Sequence, residues 1–184
     1  FLGCSAIAGI FVVFDYRHFA RFVIPAYIGS LALLVLPLVA GPTINGARRW
    51  VFFGSMSFQP SEVSKLGLIL LTAWWLDRRN RIEVGLGFAD VGVLFAAMAP
   101  VIALILKEPD LGTAMIHVFI VVSMMLFAKI NWKVLLVIAA VGAGGGYFGM
   151  KHLKPYQKDR ITAFLDPEAD PKNKGYQALQ AKYA

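Results

Sequence analysis

Three long stretches of this chain contain no Asp, Glu, Lys or Arg, and they limit its fold more than any other feature. Phe22 to Ala40 is nineteen residues, Leu111 to Ala128 is eighteen, and Val134 to Met150 is seventeen. A helix crossing the roughly 30 Å hydrocarbon core of a bilayer needs about 17–25 mostly apolar residues. A fourth stretch, Val91 to Leu106, reaches that length by running back through Val84–Ala89, interrupted only by Asp90. Composition agrees: 58% of the 184 residues are hydrophobic and 16% are charged, against about 25% charged in a typical soluble domain. The predicted fold class is all-α, a polytopic transmembrane helical bundle.

A partial span is expected at 1–14, and complete spans at 22–40, 60–76, 84–106, 111–128 and 134–150, about five complete and one truncated. Residues 1–150 are then the transmembrane region, and 151–184, with Pro155, Pro167 and Pro171, begin an extramembrane loop. Phe1 lies in an apolar run with no basic n-region, unlike a signal peptide. Gln180–Ala184 carries no helix-ending signal, so the chain is expected to be an internal piece of a larger protein. The lone Cys4 supports no disulfide framework. The net charge of +7 is scattered over short loops and the tail. With no single basic face, a nucleic-acid partner is not expected.

The charges that do occur are concentrated near helix mouths. Pro60 suits the first position of a helix, and 60–76 at 1.5 Å per residue reaches only about 25 Å. Glu62 and Lys65 are therefore expected to be drawn toward membrane depth or to open into a water-filled cavity. Charge facing lipid costs about 2.5–3.5 kcal/mol per residue at a helix centre, so ionisable groups here define a candidate site. Glu62 and Lys65 form a favourable i, i+3 pair. They either neutralise each other at the interface or line a cavity. Arg48 and Arg49 could grip phosphate bidentately, or snorkel to the headgroups beside Trp50.

In the turn Lys107-Glu108-Pro109-Asp110, Asp110 suits a helix N-cap. Alternatively, the turn shares a cavity with Glu62 and Lys65 and contributes to a divalent metal site (Mg or Mn), where carboxylates and phosphate oxygens are the usual ligands. The tail from Tyr156 to Pro171 fits either an amphipathic interfacial piece or a solvated loop. His117 and His152 have no metal-ligand partner at suitable spacing, so packing and loop exposure are expected. Trp74 and Trp75 suit an interfacial belt, and Gly142, Gly144, Gly145, Gly146 and Gly149 suit close helix packing.

Alternating spans place seven Lys/Arg (15–21, 77–83, 129–133) on one side and ten on the other, of which seven are in the tail. With the tail excluded as a large translocated loop, the first side is cytoplasmic by the positive-inside rule. Loop 41–59, turn 107–110 and tail 151–184 are then extracytoplasmic.

Four segments, in this order, resemble the SEDS family of bacterial cell-wall polymerases, the RodA/FtsW/SpoVE group. They are Asn45-Gly46-Ala47-Arg48-Arg49-Trp50; Phe58-Gln59-Pro60-Ser61-Glu62 with Lys65; Lys107-Glu108-Pro109-Asp110-Leu111-Gly112-Thr113-Ala114; and Tyr156-Gln157 through Pro171 with Gly175-Tyr176-Gln177. The tail is nearer the elongation members than the division members. The resemblance implies the middle of a roughly ten-helix fold in the bacterial cytoplasmic membrane. It also implies a peptidoglycan glycosyltransferase that polymerises lipid II beside a class B penicillin-binding protein, among membrane lipids.

Carried over, Arg49, Glu62, Lys65 and Asp110 fall on substrate-binding positions of a central outward cavity. Arg49 and Lys65 would contact phosphate, Glu62 would hold Lys65, and Asp110 would position a metal or the acceptor. The family's candidate catalytic aspartate lies in a His-Thr-Asp-Phe-type motif beyond Ala184. The catalytic residue is therefore left unassigned, and this stretch alone is expected to be inactive. A lipid-linked precursor flippase would use a charged cavity equally well, and a membrane scaffold would need no buried charge. The absence of internal repeats favours the enzyme over the transporter.

Overall fold

The computed structural model describes residues 20–43, 47–54, 56–79 and 85–151. The partial span at 1–14, Cys4, His152 and the tail from 152 onward lie outside the described residues. The described helices are α1 (Val23–Ala40), α2 (Pro60–Arg79), α3 (Phe88–Lys107), α4 (Leu111–Phe127) and α5 (Trp132–Lys151). A hairpin of β1 (Val51–Phe53) and β2 (Met56–Phe58) lies between α1 and α2.

Helices α1 to α4 form a bundle of membrane-spanning type, with large apolar side chains covering its outside: Val39 is 78% exposed, Phe119 72% and Phe127 91%. In water such a surface would aggregate, whereas against lipid tails it is neutral. Two helices, α1 and α3, are long and apolar enough by themselves to cross a bilayer.

The largest helix interface is between α1 and α2. The buried face of α2 is made of Pro60, Ser61, Ser64, Gly67, Leu68 and Thr72, mostly small residues recurring at helical spacing. Small residues let backbones approach where no hydrophobic force drives helices together. A Cβ placed on Gly67 would lie 2.7 Å from Ser30 Oγ and 3.6 Å from Tyr27 Cα. The central core joins Leu34 of α1, Val101 and Ile105 of α3, and Ala114 of α4. Two polar side chains of α1 are satisfied inside the bundle: the Tyr27 hydroxyl donates to Ala97 O, and Ser30 Oγ donates to Tyr27 O at 2.7 Å.

The α3–α4 hairpin is fastened at both ends. At one end Glu108 N–H donates to Leu104 O and Ile105 O, and Asp110 N–H donates to Ile105 O at 3.2 Å. At the other, Leu86 N–H donates to Lys129 O at 3.2 Å and Asn131 N–H to Leu86 O at 3.1 Å. Lys129 is left-handed (φ 57°), which ends α4, and Gly85 (φ 72°) allows the crossing, since a Cβ there would meet Lys129 O at 2.7 Å.

The described residues divide into two compact units between Asn131 and Trp132. In the second unit, α5 has Lys133 over the Trp132 ring at 6.0 Å and Lys151 over Tyr147 at 4.8 Å. Nothing lies within 4 Å of where a Cβ would stand on Gly142, Gly144, Gly145, Gly146 or Gly149.

Several boundaries differ from the sequence expectation. Helix α2 continues through Arg79 rather than stopping at Leu76, so its twenty residues reach about 30 Å and the shortness argued for Glu62 and Lys65 is removed. The extension is stabilised by its own side chains: Arg78 lies 4.2 Å from the Trp74 ring centre and Arg79 5.0 Å from that of Trp75. Arg79 Nε also pairs with Asp90 Oδ1 at 2.8 Å. Helix α3 begins at Phe88 instead of 84, with Asp90 accepting from Gly87 N–H at 3.2 Å. Helix α5 begins at Trp132 instead of 134. The 41–59 loop contains the hairpin, registered Val51 opposite Phe58 and Phe53 opposite Met56, with Gly54 at φ 62° where the chain reverses.

Candidate functional site

Arg49 stands two residues before β1, and the hairpin brings it over the α3–α4 turn. Its Nη1 lies 3.2 Å from Asp110 Oδ2. The other oxygen, Oδ1, accepts from Thr113 N–H at 3.2 Å. Asp110 is therefore both the N-cap of α4 and the partner of Arg49. The capping and site readings of its sequence position are compatible, because the two oxygens divide the work. Its side chain is only 6% exposed, whereas that of Arg49 is 21% exposed. The guanidinium retains donors that can turn outward. Arg48, by contrast, donates to Thr43 Oγ1 at 3.1 Å on the surface of the same loop.

Glu62 and Lys65 pair within the first turns of α2, Nζ to Oε1 at 2.8 Å, with Lys65 half-buried and Glu62 exposed. Glu62 also sits where the helix dipole favours a negative charge. The structure thus makes two ion pairs from the four sequence-selected residues: Arg49 with Asp110, and Glu62 with Lys65.

The two pairs are connected by a residue that sequence reasoning assigned only to packing. His117 is completely buried on α4. Its Nδ1 lies 2.8 Å from Thr113 O and its Nε2 2.9 Å from Ser64 Oγ on α2. A carbonyl oxygen only accepts, so Nδ1 carries the hydrogen; the Ser64 hydroxyl lies 2.9 Å from both His117 Nε2 and Ser61 O, and its one hydrogen serves either acceptor. The two contacts of His117 join α4, whose head carries Asp110, to α2, which carries Glu62 and Lys65. A histidine facing a serine across two apolar helices left no one-dimensional signal beyond the His itself.

Glu108 is the second residue underweighted by the sequence. It closes α3, with its carboxyl folded inside the turn: the residue is 1% exposed, and Oε1 has no hydrogen-bond partner. Burial, reinforced by the neighbouring Asp110 carboxylate, pushes its pKa up to about 8, with Arg49 pulling the other way. At neutral pH it is held mainly as the uncharged acid.

Chemically, this end of the bundle offers two part-exposed cations, each oriented by a carboxylate, an arrangement suited to a polyanionic ligand such as a pyrophosphate. Among the described residues no three His, Cys, Asp or Glu side chains gather as a metal cage.

The family model of the FtsW, RodA and SpoVE proteins, described as cell cycle protein, matches residues 1–184. A probable peptidoglycan glycosyltransferase FtsW from Tolumonas auensis is 36% identical over 160 residues, covering 85% of this chain and 40% of that protein. Its counterpart from Geobacter metallireducens is 32% identical over 184 residues, covering 98% and 48%. The chain thus spans less than half the length of these curated relatives.

Among solved structures, one describing coordination of polymerization and crosslinking by a peptidoglycan synthase complex matches with a TM-score of 0.77 at 36% identity, covering 100% of this chain and 54% of that one. The rod shape determining protein RodA of Thermus thermophilus matches with a TM-score of 0.60 at 36% identity, covering 72% and 43%.

Proposed function

Because the chain belongs to the FtsW/RodA/SpoVE family of cell cycle proteins, we propose that the intact protein is a peptidoglycan glycosyltransferase that polymerises lipid II in the bacterial cytoplasmic membrane. The observation that carries the reading is the Arg49–Asp110 bridge. It brings the arginine loop onto the turn before α4, at the same end of the bundle as Lys65. Two part-exposed cations then stand at one end of the bundle, suited to a lipid-linked sugar pyrophosphate.

In the reaction, the 4-hydroxyl of one sugar attacks the anomeric carbon of another, and the pyrophosphate departs. Arg49 and Lys65 bind that pyrophosphate and stabilise the charge it gains on leaving. Glu62, at 2.8 Å from Lys65 Nζ, holds the ammonium in place. Asp110 holds Arg49 and starts α4. A carboxylate outside these residues serves as general base for the attacking hydroxyl.

A divalent metal, Mg or Mn, belongs to the same proposal. One or two carboxylates plus phosphate oxygens suffice for such an ion. Asp110 Oδ2, while still holding Arg49, would be the protein's donor, and the ion would add charge neutralisation at the pyrophosphate.

We place the hairpin, the Glu108–Asp110 turn and the tail on the outer face of the membrane, where lipid II is consumed. The likeness to a chain from a complex of polymerization and crosslinking supports a crosslinking partner, a class B penicillin-binding protein. The elongation role rests on the tail sequence, and rescue of an elongation-defective or a division-defective strain decides it.

The test is polymerisation of lipid II by the purified intact protein in lipid nanodiscs, with and without divalent metal and with no second glycosyltransferase. Glycan strands are expected. Their absence, with lipid II crossing vesicle bilayers instead, would replace the enzyme by the flippase.

A further inference from the structure

A series of polar contacts leads from α2 to the head of α4 and on to Arg49. Ser64 Oγ on α2 meets His117 Nε2 at 2.9 Å, and His117 Nδ1–H donates to Thr113 O at 2.8 Å. Thr113 N–H donates to Asp110 Oδ1 at 3.2 Å, and Asp110 Oδ2 meets Arg49 Nη1 at 3.2 Å. It starts one residue before Lys65 and ends on Arg49. We propose that His117 is a positioning residue for phosphate binding: its bond to Ser64 sets the spacing between Lys65 on α2 and the Arg49–Asp110 pair at the head of α4.

Three observations carry this. First, His117 and Ser64 are both fully buried, at 0% exposure, so neither touches a ligand and any effect must pass through neighbours. Second, Ser64 and His117 join the side chains of α2 and α4 directly, two helices that pack against each other in the bundle. Third, the geometry selects one register. A helix that slides by one residue advances 1.5 Å and turns about 100°, which breaks the 2.9 Å contact and leaves His117 Nε2 buried without a partner, while Ser64 keeps its bond to Ser61 O. An unpaired buried donor or acceptor costs about 1–3 kcal/mol, enough to hold one register against near alternatives.

The inference rests on the phosphate-binding reading of Arg49 and Lys65, and its test separates the two. Affinity for a polyprenyl pyrophosphate is measured for the intact protein in nanodiscs, as wild type, His117→Leu, Lys65→Ala and the double variant. His117→Leu is expected to weaken binding about tenfold, the equivalent of about 1.4 kcal/mol, but to change little once Lys65 is gone. An equal loss in both backgrounds, or no loss in either, would overturn the positioning role. Unchanged affinity in Lys65→Ala itself would instead overturn the phosphate-binding reading.

If His117→Leu does not fold, the amide variants decide. His117→Gln can reach Ser64 from the position of Nε2, and His117→Asn can reach only Thr113 from that of Nδ1. Affinity kept by Gln and lost by Asn supports the inference; the same affinity in both overturns it.

Discussion

Arg49 and Asp110, 61 positions apart in sequence, meet at 3.2 Å across the mouth of the α3–α4 hairpin. The contact gives Asp110 two duties, holding the arginine and capping α4, and these duties can be separated. Asp110→Ala removes both and should cost about 1 kcal/mol for the cap, in addition to releasing Arg49. Asp110→Asn keeps a good cap and loses only the charge. Thermal unfolding should fall for Ala and stay near wild type for Asn, while polymerisation falls for both.

Lys65→Ala should behave differently. Its pair with Glu62 is at the surface and spaced i, i+3, worth only a few tenths of a kcal/mol to the helix. Loss of a charge-assisted bond to phosphate is worth about 1.5–3 kcal/mol, or roughly 10- to 100-fold in kcat/KM. Steady-state polymerisation kinetics beside a melting curve checks both halves, and wild-type kinetics would reduce Lys65 to a helix-end charge.

Glu108 should impose a pH dependence on stability. Its pKa rises from the ordinary 4.5 to about 8 in the folded protein. Between those values the folded state holds a proton that the unfolded chain has lost. Stability from this group is therefore full below about pH 4.5 and is lost as pH rises through about 8. Glu108→Gln, which cannot ionise, should match wild type near pH 5 and melt higher near pH 9. Parallel melting curves at the two pH values would count against the buried acid.

Gly67→Ala tests the α1–α2 contact. Its new methyl would stand 2.7 Å from Ser30 Oγ, and overpacking of this kind costs about 1–3 kcal/mol. Ser30→Gly in the same protein removes the obstructing atoms, so the double variant should recover part of the loss. Additive losses would mean that the helices separate elsewhere.

Much of the scaffold was legible because charge-free runs and helix ends coincide when lipid surrounds them. The 22–40 and 111–128 expectations fall within one residue of α1 and α4. The end of α2 was not legible: Asp77-Arg78-Arg79 has the composition of an interfacial turn, and only folding back onto Trp74, Trp75 and Asp90 keeps it helical. At the site, charge in an apolar chain pointed to Arg48, Arg49, Glu62, Lys65 and the Lys107–Asp110 turn, and the family resemblance narrowed these to Arg49, Glu62, Lys65 and Asp110. The Ser64–His117 contact and the inward turn of Glu108 depend on which helices meet, which periodicity does not encode.

The α3–α4 hairpin is stitched at Glu108–Asp110 and again at Leu86–Asn131, so neither helix has an end free to fray. Amide hydrogens along the pair should then exchange with solvent deuterium as one block rather than progressively from a terminus. A ligand that draws Arg49 away from Asp110 cannot be accommodated by unwinding one turn. It would tilt both helices together, and the motion would surface at Leu86 and Asn131, at the other end of the hairpin.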